Sequence, residues 1–467
     1  MFILSPTLTA YEISDAVKNR QITATEVLKF YLSRIDRFNN KLLAFTSILY
    51  ERAIKAAEEL DKRIINNEEV GALAGVPFAV KNLFDIKDTV TLAGSIINKA
   101  NNPANKDAIL IQRLEKQDAI LVGALAMGEY AYDFTGENIH YGNCKNPWDI
   151  SRMSGGSSSG SGSAVAAMLV PIALGSDTNG SIRVPSSLCG LFGLKPTYGR
   201  LPRTGSFPFC DSLDHLGPMS RSVRDLSLTY DTLQGYDDND HACIRRDVNL
   251  TFDTLEEEIT DLNIARATGY FDTEAFPQAH KAMEDICQAL DITKKIELPG
   301  TLEARSAAYL ITNAESSRLH LRRLQSQASY FDHDTRDRFI AGALLPSAWY
   351  TRALQVRHSY HKNILSLFNH VDIIVAPATP CVAPKIGQKT LTINGNEQAL
   401  RPNLGYFTQA ISAAGLPSCV VPTMNKETQL PIGVQIIAAP WREDLCLRIA
   451  RNLEKKGFYS LNTKNFM

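Results

Sequence analysis

The sequence has no run of basic residues and no excess of positive charge. Its 49 Lys and Arg residues are balanced by 50 Asp and Glu residues, which gives a formal net charge of −1. Proteins that bind nucleic acid through its phosphates typically carry a basic patch or stripe. We therefore expect no direct contact with nucleic acid.

Cysteine clusters are also missing. The eight cysteines are scattered along the chain, without a CxxC motif or a Cys/His group at the spacing of metal ligands. This pattern predicts reduced thiols in the cytoplasm rather than a disulfide framework or a zinc site. No other motif indicates a metal or a cofactor, so we expect neither.

Long apolar segments are absent as well. The N-terminus, MFILSPTLTAYEI, lacks the basic region and the long apolar core of a signal peptide. The apolar segment AVAAMLVPIAL at 164–174 is too short to span a membrane and contains Pro171. We therefore expect a cytoplasmic protein that does not contact a membrane.

The composition allows a large core, since 44% of the residues are hydrophobic and 21% are charged. Predicted strands and helices alternate along the chain without a linker, which favours a single α/β domain over 1–467. Helices are expected within 7–68, where they pack on the core or serve an interface. The apolar segments at 75–80 and 119–127 predict buried strands.

A stretch rich in Gly and Ser, SGGSSSGSGSAVAAMLVPIALGSDTNGS, extends from Ser154 to Ser181. Composition alone is typical of a flexible linker. However, the stretch runs directly into an apolar segment that has to be buried. Small residues next to a buried segment allow close backbone packing and free N–H groups, which an activated hydroxyl requires. Ser157 and Ser181, near its two ends, are the candidate hydroxyls.

Two further side chains are candidates for a base. Lys81 ends the apolar strand at 75–80, and from its neighbours alone it is more typical of a surface lysine whose stem lies along the protein. The alternative is a buried lysine with a lowered pKa. His215 is the histidine nearest the Ser154–Ser181 stretch in sequence, and a Ser–His–Asp triad with Asp214 or Asp211 is a second alternative. No Gly-x-Ser-x-Gly motif lies on a clear strand-to-helix turn, which disfavours that triad.

The combination of GGSSSGSGSAVAA, GSDTNGSIRVPSSLCGLFGLKPT and GVPFAVK at 75–81 resembles the amidase signature family. Weaker similarity covers most of the chain. The resemblance implies a single amidase domain, with a mixed, mostly parallel central sheet surrounded by helices. It also implies hydrolysis of linear amides through a Ser-Ser-Lys triad, without a cofactor.

Position by position, Ser181 resembles the family's nucleophile, Ser157 the bridging serine and Lys81 the base. The bridging serine is often held by a cis peptide bond. The resemblance also implies an ion pair between Asp177 and Arg183, behind the reacting groups, that holds the loop.

The resemblance further implies an oxyanion hole made of the backbone N–H groups of Thr178, Asn179, Gly180 and Ser181. The family more often has Gly at the position of Asn179. A backbone donor survives that change, but the Asn side chain is expected to narrow the pocket.

Within the family, the segments at 129–147, 176–203, 206–209 and 336–350 resemble the subgroup that hydrolyses 1-carboxybiuret. That resemblance implies a small, carboxylate-bearing, urea-like amide that is cleaved with release of ammonia. Arg338 and Tyr309 are the candidates for binding the carboxylate, and Tyr132 is a further candidate for the pocket. An exposed helix charge is the alternative for Arg338.

Two other functions compete with this one. The first is the amidase (glutaminase) subunit of a tRNA-dependent amidotransferase, which belongs to the same family. The second is a binding or scaffold subunit without activity, which the presence of Lys81, Ser157 and Ser181 together disfavours. The resemblance also implies a small helical accessory subunit, within a homodimer or a heterotetramer.

Overall fold

The computed structural model describes residues 3–393, 395–459 and 466. The helices are α1 Ala10–Lys18, α2 Ala24–Leu42, α3 Tyr50–Ile65, α4 Ile109–Lys116, α5 Ser159–Ala166, α6 Arg183–Cys189, α7 Val223–Leu233, α8 Pro277–Ala289, α9 Thr301–Gln327, α10 His333–Ala343, α11 Ser347–Leu367, α12 Leu400–Asn403, α13 Gln409–Ala413 and α14 Glu443–Lys455. None of the helices in the described ranges is long and apolar enough to cross a membrane.

The strands alternate with these helices. They are β1 Phe45–Ile48, β2 Pro77–Lys81, β3 Ile120–Leu125, β4 Lys145–Asn146, β5 Asp149–Met153, β6 Ile172–Asp177, β7 Phe192–Lys195, β8 His215–Ser220, β9 Ile264–Thr268, β10 Lys295–Glu297, β11 Ile373–Pro377, β12 Thr390–Ile393, β13 Asn396–Ala399, β14 Ser418–Asn425 and β15 Leu430–Ala438. The strands predicted at 75–80 and 119–127 correspond to β2 and β3.

One large sheet forms the centre of the molecule. Within the described residues it has eleven strands in the order β1-β3-β2-β6-β8-β7-β14-β15-β11-β9-β10. Parallel pairs form two blocks, β3-β2-β6 and β11-β9-β10, and the strands between these blocks pair antiparallel. The predicted mixed α/β fold, with helices around a central sheet, is confirmed. Within the described residues, four of the ten strand pairs in this sheet are parallel, and all four lie in these two blocks.

The neighbouring strands β2 and β6 position the candidate site. They run parallel, with Val80 paired to Leu174, and every residue of both strands is buried. Strands that are covered on both faces consist of consecutive apolar residues. For this reason, Pro77–Val80 shows no alternation of polar and apolar residues. Parallel neighbours end at the same edge of a sheet, so Lys81 lies close to the end of β6.

The Gly/Ser stretch is not a linker. Its first half forms α5, in which every residue is buried. At Gly160 a Cβ would clash with the backbone of Ala44 and Ala126, so only glycine fits there. The small residues therefore serve close packing of a helix against its neighbours, and the composition that resembles a linker has a different physical cause.

The N-terminal helices pack against the rest of the chain. α1 and α2 each begin with a capping box, at Thr9 and at the predicted Thr23. The buried Asp225 carboxylate accepts hydrogen bonds from the backbone N–H groups of Ala10 and Tyr11, at 2.9 and 3.0 Å. The apolar side chains of α1–α3 belong to the main hydrophobic core. A single domain stays a prediction, which this shared core supports.

Candidate active site

Lys81 is at the carboxyl end of β2 and is fully buried. Its Nζ atom lies 2.6 Å from Ser157 Oγ and 2.8 Å from Ser176 Oγ. The prediction of a surface lysine, made from the neighbouring residues alone, is therefore wrong. The side chain cannot extend to solvent because β2 lies inside the sheet and is covered on both faces.

The surroundings of Lys81 change its acidity. Burial lowers the pKa of Lys81 from 10.5 to about 7, because a charged ammonium loses its hydration. The carboxylates of Asp214, Asp177 and Asp133 act in the opposite direction, but they do not outweigh burial. Near neutral pH, a large fraction of Lys81 is therefore neutral and able to accept a proton.

Ser157 connects this lysine to the other end of the Gly/Ser stretch. Ser157 is fully buried, and the peptide bond between Gly156 and Ser157 is cis. The next residue, Ser158, donates its backbone N–H to the carbonyl oxygen of Ser181 at 3.3 Å. The fold thus brings together the two ends of a stretch that are 24 residues apart in sequence (181 − 157).

The loop after β6 has free backbone donors. The N–H groups of Thr178, Asn179, Gly180 and Ser181 make no hydrogen bond with any described residue. Gly180 has φ +143°, and a Cβ there would clash with the Thr408 hydroxyl, so this position requires glycine. Successive free N–H groups in a tight turn form a concave site for a negative oxygen.

A buried ion pair holds this loop. Arg183 Nη2 lies 2.9 Å from Asp177 Oδ1, and neither side chain is exposed, so the predicted contact is present. Burial by itself would raise the pKa of Asp177, but the charge and the hydrogen bonds of Arg183 bring it well below its usual value. Arg183 also donates to the Thr408 carbonyl and the Gln435 side chain. The loop is therefore tied to two distant segments of the chain.

Ser181 opens onto a pocket, and the three side chains predicted to bind substrate line the same pocket. It is lined by Ala131, Tyr132, Asp133, Phe134, Thr178, Asn179, Ser181, Phe209, Tyr309, Thr312, Arg338, Pro402 and Gln409. The Arg338 guanidinium lies 5.2 Å from the centre of the Tyr132 ring, and its Nη1 atom donates to the Tyr132 carbonyl at 3.4 Å. Arg338 forms no ion pair with a carboxylate in the described part of the chain. Its charge therefore remains available to an anion in the pocket.

The structure does not assemble the alternative triad with His215. The Nδ1 atom of His215 lies 2.6 Å from the Leu213 carbonyl and 3.0 Å from the Asp177 carbonyl, and its Nε2 atom has no hydrogen-bond partner among the described residues. The ring therefore pairs with no carboxylate and no serine hydroxyl. Burial and the positive charge of Lys195 keep the pKa of His215 well below its usual value. Asp214 instead accepts hydrogen bonds from the Thr178 hydroxyl, at 2.6 Å, and from backbone N–H groups.

Sequence reasoning missed Ser176, the second hydroxyl next to Lys81. A signal was present, because Ser176 is a polar residue that directly follows the apolar part of strand β6, at 172–175. The register of β2 and β6 places it at the same edge as Lys81. The sequence-based prediction also missed Thr312, whose hydroxyl accepts a hydrogen bond from Asn179 Nδ2 at 2.8 Å. Thr312 lies in α9, far away in sequence, and no local pattern indicates that contact.

Comparison with known proteins decides the family. The model of the Amidase family matches residues 26–447, which is most of the chain and contains every side chain of the site described above. The chain belongs to the amidase family. It is therefore a hydrolase that acts on amide C–N bonds, and the pocket at Ser181 is the candidate active site of this amidase.

Two curated relatives illustrate the range of the family. The chain is 45% identical to AtzE, the 1-carboxybiuret hydrolase subunit of Pseudomonas sp. (strain ADP), over 96% of this chain and 99% of that protein. It is 36% identical to a glutamyl-tRNA(Gln) amidotransferase subunit of Bdellovibrio bacteriovorus, over 95% of this chain and 96% of that protein. The amidase family thus includes relatives with different amide substrates.

A solved structure with a TM-score of 0.96 covers 97% of this chain and 100% of its own, at 44% sequence identity. It is described in the words "An unexpected vestigial protein complex reveals the evolutionary origins of an s-triazine catabolic enzyme". The fold of this amidase is therefore closely similar to that of an s-triazine catabolic enzyme over nearly its full length.

Proposed function

We propose that the chain hydrolyses a C–N bond of a small carboxylated urea-like amide, similar to 1-carboxybiuret, with release of ammonia. Lys81, Ser157 and Ser181 act as a Ser-Ser-Lys triad. The observation that carries the proposal is the buried contact of 2.6 Å between Lys81 and Ser157, adjacent to a pocket that contains both Ser181 and Arg338.

In the proposed first step, Ser181 Oγ attacks the carbonyl carbon of the substrate. Its proton moves to Ser157, and the Ser157 proton moves to neutral Lys81. A serine hydroxyl is a weak nucleophile at neutral pH and needs a base of this kind. The negative charge that develops on the carbonyl oxygen is held by the free N–H groups of Thr178, Asn179, Gly180 and Ser181. Loss of one such donor typically lowers the rate by about 10²–10³-fold.

In the second step, the C–N bond breaks and the leaving nitrogen receives a proton from Lys81 through Ser157. Ammonia leaves, and the acyl group stays on Ser181. Water then attacks this acyl-enzyme with the same residues as base and acid, which releases the acid product and regenerates the Ser181 hydroxyl. The protons and bonds of both steps are accounted for by the substrate, water, Lys81, Ser157 and Ser181, so neither step requires a metal or a cofactor.

Arg338 supports a substrate that carries a carboxylate. A guanidinium binds a carboxylate through two parallel hydrogen bonds, and it does so best where water is excluded. Arg338 lines the pocket without a carboxylate partner among the described residues, and Tyr309 and Tyr132 line the same pocket. The similarity to the 1-carboxybiuret hydrolase subunit supports the same class of substrate.

We also propose that the chain works in the cytoplasm with a small helical accessory subunit, within a homodimer or a heterotetramer. Its eight cysteines are all free, which fits a reducing compartment. A solved relative of 44% identity is described as a protein complex, and this description supports an accessory subunit.

A glutaminase subunit of a tRNA-dependent amidotransferase is the second candidate function. The similarity to the amidotransferase subunit of Bdellovibrio bacteriovorus favours it. Glutamine also has a carboxylate and a primary amide, so Arg338 suits both substrates.

Ammonia release from the purified chain separates the two functions. The compounds are 1-carboxybiuret, allophanate, biuret, malonamate and glutamine, each tested with the wild type and with Ser181→Ala. We expect release from the carboxylated ureas, none from glutamine, and none from any compound with Ser181→Ala. A serine-directed fluorophosphonate should label Ser181, and peptide mass spectrometry would locate the label. Release from glutamine alone would overturn the proposed substrate, and a label on Ser157 would overturn the proposed nucleophile.

A further inference from the structure

Asn179 carries a polar atom that the proposed mechanism does not use. Only 7% of the residue is exposed, and it lines the pocket together with Ser181. The Nδ2 atom donates to Thr312, but the Oδ1 atom is buried and has no hydrogen-bond partner among the described residues. A buried carbonyl without a donor is unfavourable, so such an atom in a pocket is typical of a group that pairs with a ligand.

The contact with Thr312 sets the orientation of the Asn179 amide. Asn179 Nδ2 donates a hydrogen bond to the Oγ1 atom of Thr312 at 2.8 Å. Thr312 is itself buried and lies in α9.

The nitrogen of a side-chain amide only donates hydrogen bonds, and its oxygen only accepts them. Because Nδ2 is paired with Thr312, the Oδ1 atom is the free acceptor of Asn179.

The position of Asn179 indicates which part of the substrate reaches this acceptor. The leaving nitrogen has to face Ser157, which returns its proton, and Ser157 is not among the described residues that line the pocket. Asn179 is in the pocket wall, on the loop whose N–H groups hold the carbonyl oxygen. Its Oδ1 atom is therefore next to the part of the substrate that stays on the enzyme as the acyl group.

We propose that Asn179 Oδ1 accepts a hydrogen bond from an N–H on the acyl side of the scissile bond, and so selects urea-type amides over carbon-chain amides. This inference rests on the proposed function and deepens it, because it assigns a residue to the choice between N–H and CH₂ next to the reacting carbonyl. Thr312 acts as a positioning residue that holds the amide in the required orientation.

The test uses two pairs of compounds that differ only in N–H against CH₂ next to the carbonyl. Allophanate and malonamate carry a carboxylate, whereas biuret and malonamide do not. We expect the wild type to prefer the N–H member of each pair, and Asn179→Ala to lower the ratio of the two kcat/KM values by about 10–100-fold. Thr312→Val should lower the same ratio, and the conservative variant Thr312→Ser should retain it.

An equal loss for both members of each pair would overturn the inference, because Asn179 would then only shape the loop. An unchanged ratio would also overturn it and would indicate a buried water as the missing donor. A wild type that does not favour the carboxylated pair contradicts the proposed substrate but leaves the N–H comparison intact in the uncharged pair. If none of the four compounds is turned over, calorimetric binding to Ser181→Ala makes the same comparison, and equal or absent binding of the members would overturn the role of Asn179.

Discussion

The pH dependence of activity is the most direct test of Lys81 as the base. Only the neutral amine can take a proton from Ser157. With the ordinary pKa of 10.5, roughly one lysine in a thousand would be neutral at about pH 7.5, whereas with a pKa of about 7 roughly three quarters are. Burial thus raises the active fraction by nearly three orders of magnitude. We expect kcat/KM to fall tenfold per pH unit on the acid side, with a midpoint at about 7.

The assay measures ammonia after quenching, between about pH 5.5 and 9.5 at constant ionic strength, because kcat/KM reports the pKa values of the free enzyme. Circular dichroism at each pH separates titration from unfolding. His215→Gln is the matched control, since the pKa of His215 lies well below its usual value and its loss should leave the midpoint in place. A flat profile between about pH 6 and 9, a midpoint near 10, or an acid limb that disappears in His215→Gln would refute Lys81 as the titrating base.

Further predictions concern the groups around the triad. Arg183→Met leaves the buried Asp177 charge without a partner, so we expect about 3–5 kcal/mol less free energy of unfolding by urea titration, partly restored when Asp177→Asn is added; a loss below about 1 kcal/mol would contradict this. Ser176→Ala removes a hydrogen bond from the base and should lower kcat about tenfold with little change in KM, whereas Ser176→Thr should retain activity. Gly180→Ala should lower kcat about 10²-fold, because its Cβ clashes with Thr408 and displaces the anion site, and wild-type activity would show that the loop adapts.

Local signals predicted the elements that local physics determines. The capping box at Thr23 and the buried strand at 75–80 depend on residues within a few positions of each other, and both are present. The turn after β6 was also predictable, because its glycine and small residues belong to a recognisable family motif. The contact of Lys81 with Ser157 was predictable only from the family resemblance.

Contacts between distant segments could not be predicted in this way. The neighbours of Lys81 indicate a surface side chain, because its burial depends on strands and helices elsewhere in the chain. Thr312 is 133 residues away from Asn179, and a threonine within a long helix carries no sign of a polar partner. The contact between Asn179 and Thr312 is therefore visible only when α9 and the loop after β6 are considered together.

The burial of Lys81 also has a thermodynamic consequence for the whole fold. The unfolded chain holds this proton with a pKa of 10.5 and the folded chain with a pKa of about 7, so folding at neutral pH releases a large part of it. This difference opposes folding by about 4 kcal/mol near pH 7 and disappears as the pH approaches 10.5. Catalytic competence should therefore be nearly complete about two pH units above 7, whereas stability should continue to increase up to about pH 10.5. We expect a Lys81→Met variant to be inactive and to melt at a higher temperature than the wild type, since methionine has no charge to lose on folding.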